Sequence, residues 1–268
     1  VIMTAFYCMM KRQTLFSLLA GLCLSWSAHS QTPDFTARTD VQAFMQQLQH
    51  QHGFSAEELQ QTLAQVTLRP NILRLMDRPQ QQVNPQWKNY RPQFLNNVRI
   101  QGGSRFLANY ATPLQQASQQ YGVPASIITA ILGVETVYGR NQGNIPILDA
   151  LATLAFDYPR RAPYFRGELI SYLLLAKQEH LLKSSPLGSY AGAFGMAQFM
   201  PSSYLRYAVD FDGDGKRDIW RSPADAIGSV AHYLSANGWR TGEPVAVPVQ
   251  VQGEQFQSLL SPTSLKPQ

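Results

Sequence analysis

Glu135 is a carboxylate standing where a helix pattern asks for hydrocarbon. The segment Val123–Gly139 reads VPASIITAILGVETVYG. Pro124 suits a first helical turn, where a missing N–H is no loss, and Gly139 suits the stop. On such a helix Ile128, Ile131, Leu132 and Glu135 fall at i, i+3, i+4 and i+7, on one stripe. Burial disfavours the charged form of a carboxyl, so its pKa rises and a protonated acid persists near neutral pH. A general acid needs that property. The same placement suits a core glutamate paired with an arginine, and the stripe alone does not choose between the two.

A second set of acids sits in a loop. Asp210, Asp212, Asp214 and Gly215 match positions 1, 3, 5 and 6 of an EF-hand loop. Lys216 would offer its carbonyl at position 7, and Asp218 stands at position 9. Position 12, where a bidentate Glu is usual, holds Arg221. The next acid able to close the cage is Asp225, on the first turn of the following helix. Oxygen-only donors point to calcium. Asp225 also suits a capping box with Ser222, and an acidic surface turn is the plain alternative for the whole loop.

Two further segments carry binding chemistry. Leu187–Pro201 reads LGSYAGAFGMAQFMP. Its glycines admit close backbone approach, Ser189 and Gln198 offer neutral hydrogen bonds, and Tyr190, Phe194 and Phe199 offer flat apolar faces. That mixture suits a sugar, although a GxxGxxQ spacing is weak by itself and packing between two helices is its commoner explanation. In Asp157-Tyr158-Pro159-Arg160-Arg161, with Tyr164 beyond, the adjacent arginines could bind a carboxylate or neutralise a peptide substituent. They could as well be solvated or cap a helix.

The elements that must position these groups read as mainly helical. The first 30 residues have the order of a secretory signal: Met10-Lys11-Arg12, an apolar run Leu15–Trp26, then Ala28-His29-Ser30, with residues 1–9 as an upstream extension. Cys23 raises a lipid anchor, but Leu22 is a poor lipobox residue, so a soluble exported protein is favoured and outer-membrane association stays open. Cys8 and Cys23 both lie there, which leaves the remaining chain without disulfide or thiol chemistry. The formal charge of +5 falls to near +3 without Lys11 and Arg12, and no basic run suggests nucleic acid.

Residues 31–120 read as a supporting helical domain. Val41, Phe44, Met45 and Leu48 form a stripe behind Asp40, Ser55 and Glu58 form a capping box, and Pro70, Pro79, Pro85 and Pro92 break the chain into short pieces. A helix is predicted over Ser104–Tyr121, kinked or broken at Pro113. Residues 121–240 hold the chemistry, with helices near Ile147–Phe156, after Pro163, and from Ser222-Pro223 to Asn237-Gly238. From 241 to 268 the period changes to two, and Val245, Val247, Val249 and Val251 read as a strand beginning a small β domain.

In order, GVETVYGRNQG, DYPRRAPYF, GSYAGAFGMAQFMPSSY, AVDFDGDG and DAIGSVAHYL resemble the lytic murein transglycosylase B family, over most of residues 35–250. The resemblance implies a mainly α (α+β) fold with a lysozyme-like core in a periplasmic monomer. It implies cleavage of the MurNAc–GlcNAc bond of peptidoglycan glycan strands, the muramyl C6 hydroxyl closing on C1 to leave a 1,6-anhydro end. Glu135 matches the sole catalytic acid/base. Ser189 and Gln198 match substrate contacts, and Tyr90, Arg160, Arg161 and Tyr164 match cleft-lining positions. Asp210, Asp212, Asp214, Lys216 (carbonyl) and Asp225 match a calcium loop, with one residue of extra spacing. No cofactor is implied for catalysis. Asp149, Asp157, Glu168 and Glu179 stand in segments without site-like composition, and a one-acid mechanism needs no second carboxylate. A goose-type-lysozyme-like muramidase or an inactive murein-binding protein are the alternatives. Family members continue past residue 268, so a C-terminally truncated chain with an opened cleft and reduced activity is the expectation.

Overall fold

Residues with helix-forming side chains on a repeating apolar stripe account for almost every element. The computed structural model describes residues 34–77, 87–246, 250 and 252–253. Helix α1 (Thr39–His52) buries Val41, Phe44, Met45 and Leu48 and stops at Gly53, which takes the left-handed conformation. Helix α2 (Ala56–Leu63) starts with the expected capping box, Ser55 and Glu58 each bonding the other's backbone N–H. Pro70 opens α3 (Pro70–Met76). Beyond it come α4 (Trp87–Tyr90), a short 3-10 turn, α5 (Asn97–Asn109) and α6 (Ala111–Tyr121).

The helix predicted over Ser104–Tyr121 is therefore two helices. The break is at Tyr110, not Pro113, because a proline ring collides with the carbonyl four residues back and is tolerated in a first turn. Helix α7 (Ala125–Thr136) carries Glu135. After it β1 (Ile145–Pro146) leads into α8 (Ile147–Asp157), in which every residue from Ile147 to Ala155 is buried. A helix apolar all round belongs at the centre, and α8 packs along α9 (Ala162–Gln178) there. Strand β2 (Leu187–Gly188) pairs antiparallel with β1, Ile145 opposite Gly188 and Pro146 opposite Leu187. Then follow α10 (Pro201–Tyr207) and α11 (Pro223–Ala236); α10 packs on α9, α11 along α6, and α5 against α7. One buried apolar cluster runs from Phe35 to Ala231.

Polar residues in this core and at its edge act as ties. Asp149 on α8 accepts hydrogen bonds from Thr67 N–H (2.9 Å) and from Arg69 Nε and Nη2 (3.0 and 2.8 Å), which pins the start of α3 to the central helix. Arg38 bridges Asp40 and Asp157 at 2.9 and 2.8 Å, joining the first turn of α1 to the end of α8. The predicted signal segment, Pro79, Pro85 and the strand positions Val247, Val249 and Val251 lie outside the described residues. Val245 is an exposed bend.

Candidate active site

Glu135 is the second-last residue of α7, and the backbone beyond it turns sharply. Val137, Tyr138 and Gly139 are all left-handed, with φ of 53, 60 and 86°. A β-branched residue there is an outlier that costs on the order of 1–3 kcal/mol. The surroundings hold it. Val137 N–H donates to Gly133 O (3.2 Å), Tyr138 N–H to Leu132 O (3.0 Å), and Gly139 N–H to Thr136 Oγ1 (2.9 Å). The Tyr138 ring lies in a slot between α5 and α7. A Cβ on Gly103 would come within 2.8 Å of its hydroxyl, and one on Gly133 within 2.5 Å, so the slot requires glycine. That hydroxyl donates to Arg99 O (2.7 Å), and Arg99 Nε returns a bond to Gly133 O (3.0 Å).

The stripe expectation needs one correction. Ile128 and Leu132 are buried and Ile131 is half-buried, but Glu135 is exposed to solvent, because the buried face of the last turn is carried by Leu132, Gly133 and Thr136 and leaves Glu135 at its edge. Its carboxyl is nevertheless raised above its ordinary value of 4.5, by desolvation alone. The two observations agree for a carboxyl that water still reaches while neighbouring protein atoms displace part of its hydration. Among the described residues it makes no hydrogen bond and no ion pair, so the arginine-paired alternative is not realised.

The other acids near this core are engaged elsewhere. Asp149 and Asp157 bind arginines as described above. Glu168 accepts from Ser202 N–H (3.0 Å) and Oγ (2.7 Å) at the start of α10, and Glu179 pairs with Arg217 at 2.6 Å. Glu135 is the one of these five carboxylates left without a partner.

The Gly-rich segment is a pair of tight turns rather than a helix contact. Phe194 and Phe199 exchange backbone hydrogen bonds at 2.9 and 3.0 Å, enclosing a turn in which Gly195 and Gln198 have φ of 71 and 50°. Met196 O in that turn accepts from Thr136 Oγ1 (2.7 Å), the residue after Glu135. Gln198 Nε2 donates to Gln142 O (3.1 Å) and Gly195 O (3.2 Å). The Ser189 turn closes with Ser189 N–H on Ala193 O (2.7 Å) and Ala193 N–H on Ser189 Oγ (3.1 Å), and Gly143 presses against its backbone. Ser189 and Gln198 thus both meet the loop that leaves the Glu135 helix.

The remaining predicted positions are looser. Tyr90 is exposed and packs on Phe94 at 5.0 Å, and Phe94 lies 5.6 Å under Arg99, the residue bonded to Gly133. Tyr90 therefore belongs to the α7 neighbourhood, beside a groove of about 270 Å³ bordered by Phe94, Gly133 and Val134. Arg161 stacks over Tyr164 at 4.4 Å, and Arg160 reaches Asp77 at 3.5 Å. Burial raises the Tyr164 phenol, with Glu168 adding to the shift and Arg161 opposing it. No hydrogen bond, ion pair or ring contact joins either arginine to α7 among the described residues. A larger cavity of about 790 Å³ opens behind the Ser189 turn, and Glu135 is not on its wall.

In the acidic loop one oxygen from each of Asp210, Asp212 and Asp214 lies within 4.8 Å of the others. Asp210 gathers the N–H groups of Gly213, Asp214 and Gly215 (2.8, 3.1 and 2.8 Å), which curls the loop around it. Asp225 is fully buried below. Its Oδ1 accepts from Phe211 N–H (2.8 Å) and its Oδ2 from Asp218 N–H (2.7 Å), so in this structure it braces the loop's two limbs and stands apart from the cluster. Burial raises its carboxyl despite these bonds. Its expected reciprocal box with Ser222 is half made, since Asp225 N–H bonds Ser222 Oγ while its carboxylate serves the loop.

Three residues escaped sequence reasoning: Thr136, Tyr138 and Gln142. Each works through main-chain carbonyls, which no residue spacing reveals, although all lie inside GVETVYGRNQG.

Known proteins resemble this chain in sequence and in fold. The transglycosylase SLT domain model matches residues 36–268. The chain is 47% identical over 222 residues to the membrane-bound lytic murein transglycosylase B of Escherichia coli K12, a match covering 80% of this chain and 61% of that relative's length. The catenated lytic transglycosylase SltB1 of Pseudomonas aeruginosa superposes with a TM-score of 0.82 at 46% identity, covering 85% of this chain and 75% of that one. The E. coli lytic transglycosylase Slt35, solved in complex with calcium, gives a TM-score of 0.73 at 47% identity, over 79% and 67%. Its mainly α, lysozyme-like fold and these matches place this chain in the family of transglycosylase SLT domain proteins.

Proposed function

We propose that this chain is a lytic transglycosylase that cleaves the MurNAc–GlcNAc β-1,4 bond of peptidoglycan and leaves 1,6-anhydromuramyl ends. The observation that carries it is Glu135: desolvated, unpartnered, and at the end of a helix whose exit is held in a costly conformation. A carboxyl with a raised pKa is a competent acid near neutral pH. It protonates the glycosidic oxygen as the C1–O4 bond breaks. The carboxylate so formed takes the proton of the C6 hydroxyl as the C1–O6 bond forms, which restores the acid. No water and no second carboxylate are consumed, and the products together are isomeric with the substrate.

Ser189 and Gln198 contact the sugar beside Glu135. With Gln198 Nε2 held by two carbonyls, Oε1 is its free acceptor for a hydroxyl. Tyr90, Arg160, Arg161 and Tyr164 line the approach, the stacked Arg161–Tyr164 pair giving a flat cationic face. Calcium fits the acidic loop by its donor set: carboxylates of Asp210, Asp212 and Asp214, with the Lys216 carbonyl. Asp225 reaches the ion if it gives up loop N–H groups, and otherwise braces it. The ion supplies loop rigidity and no catalytic step. The domain limits at 31–120, 121–240 and 241–268, a monomeric state, and periplasmic location after signal removal belong to the same proposal. Among the described residues no helix is long and apolar enough to cross a membrane.

Mass analysis of digested murein tests the chemistry. Anhydro ends, lighter by one water than reducing ends, are expected; reducing muramyl ends alone would make the enzyme a hydrolytic muramidase instead.

A further inference from the structure

We propose that Gln142 is a positioning residue that carries the state of the acidic loop to Gln198 and to the exit of the Glu135 helix, a role that rests on the function proposed above. Its side-chain nitrogen donates to two carbonyls from different parts of the chain, Gly139 O (3.1 Å) and Trp220 O (2.9 Å). Gly139 closes the left-handed run after Glu135. Trp220 lies two residues past Asp218, on the strip that leaves the acidic loop. The main-chain carbonyl of Gln142 accepts Gln198 Nε2 (3.1 Å), so one residue touches all three parts.

The strip at Ile219–Trp220 has little freedom of its own. Trp220 N–H bonds Asp218 Oδ1 (3.1 Å), Asp218 N–H bonds Asp225 Oδ2 (2.7 Å), and Asp225 Oδ1 holds Phe211 at the head of the loop. A parallel link runs from Ile219 O to Met196 N–H (2.9 Å), and from Met196 O to Thr136 Oγ1 (2.7 Å). Trp220 also lies flat on Phe194, 4.8 Å away at 6°, so a shift of the strip presses on the turn bearing Gln198. Drawing Asp210, Asp212 and Asp214 together on an ion therefore sets Trp220 O, and Gln142 passes that setting to Gln198. Only a side chain with two hydrogens on one nitrogen can serve both carbonyls. A glutamate would oppose them with oxygens, and a methionine of similar length would leave both unpaired.

The test measures glycan binding without turnover, in the Glu135→Gln background, by calorimetry with a soluble GlcNAc–MurNAc tetrasaccharide. Binding is measured in calcium and again after chelation. The parent should bind about ten-fold more weakly without calcium. Adding Gln142→Met should cost about ten-fold in calcium and remove the response to chelation, the size expected for one or two lost hydrogen bonds. Gln142→Glu should do the same, and thermal melts identify a variant that fails to fold, leaving the other to decide. Gln198→Ala combined with Gln142→Met should be no weaker than Gln198→Ala alone. If either folded Gln142 variant keeps both the parental affinity and its calcium response, Gln142 does not transmit. If the parent binds no tetrasaccharide in either condition, the proposed function fails and this role with it.

Discussion

At Glu135 two properties follow from one cause. Desolvation favours the protonated carboxyl, so the folded pKa lies above the ordinary 4.5. The protonated form thus contributes stability that is fully present below 4.5 and is lost as pH rises through the folded pKa. A neutral amide at this position would mimic the protonated group at every pH. Glu135→Gln should then melt higher than the parent at pH 7, and the difference should vanish below 4.5. Murein release should fall by about 10²–10⁴-fold, the usual worth of a general acid–base group. A variant that melts identically to the parent at both pH values would mean the carboxyl is not desolvated. The Tyr138 slot predicts a different signature. Gly133→Ala places a methyl against the phenol, at an overpacking cost of about 1–3 kcal/mol. Because the ring anchors the turn after Glu135, kcat should fall with KM little changed; a rise in KM alone would place the slot's effect on binding.

At the scale of elements, sequence pattern was enough wherever a stripe meets the core over its whole length. The stripe of α1 and the capping box of α2 stand as their patterns predict, and α8 and α9 form where helices are expected, near Ile147–Phe156 and after Pro163. Pattern failed at ends and turns. Glu135 shares its stripe with Ile128 and Leu132, yet the buried face runs through Gly133 and Thr136 and leaves it at the edge, and no spacing encodes how far around a helix its neighbours reach. GxxGxxQ suited helix packing because glycine reports permission and not conformation; the hydrogen bonds that choose a turn come from distant residues. Asp149 shows the converse. Its sequence context gave it no role, and only the fold brings Thr67 and Arg69 to it. Removing one partner of a buried pair leaves unpaired donors, and Arg69 is partly solvated, so Asp149→Ala should cost about 3 kcal/mol in urea unfolding. Specific activity of the folded fraction should be unchanged. A matched loss of activity would give Asp149 a part in the chemistry.

For the whole molecule the acidic loop adds polar ties to α11, which already packs along α6 through its apolar face. Asp225 on α11 bonds both limbs of the loop, and the strip beyond them reaches Met196 and Gln142. In the folded chain without an ion, three carboxylates converge within 4.8 Å, and their mutual repulsion opposes closure of the loop. A divalent cation replaces that repulsion with attraction and binds the folded state alone, because the unfolded chain does not gather the ligands. Mass action then sets the gain: about 2.7 kcal/mol at a free calcium concentration about one hundred times Kd. Thermal unfolding should therefore move upward with calcium concentration, flatten nowhere below saturation, and return to the apo value on chelation. Asp214→Asn should weaken the response while slightly raising the melting temperature of the calcium-free protein, since it removes one of three like charges. Asp225→Asn should lower stability with and without the ion, because its oxygens hold backbone N–H groups in either state. If Asp214→Asn left the calcium response intact, or if no response existed, the loop would be an acidic brace for α11 and not a metal site.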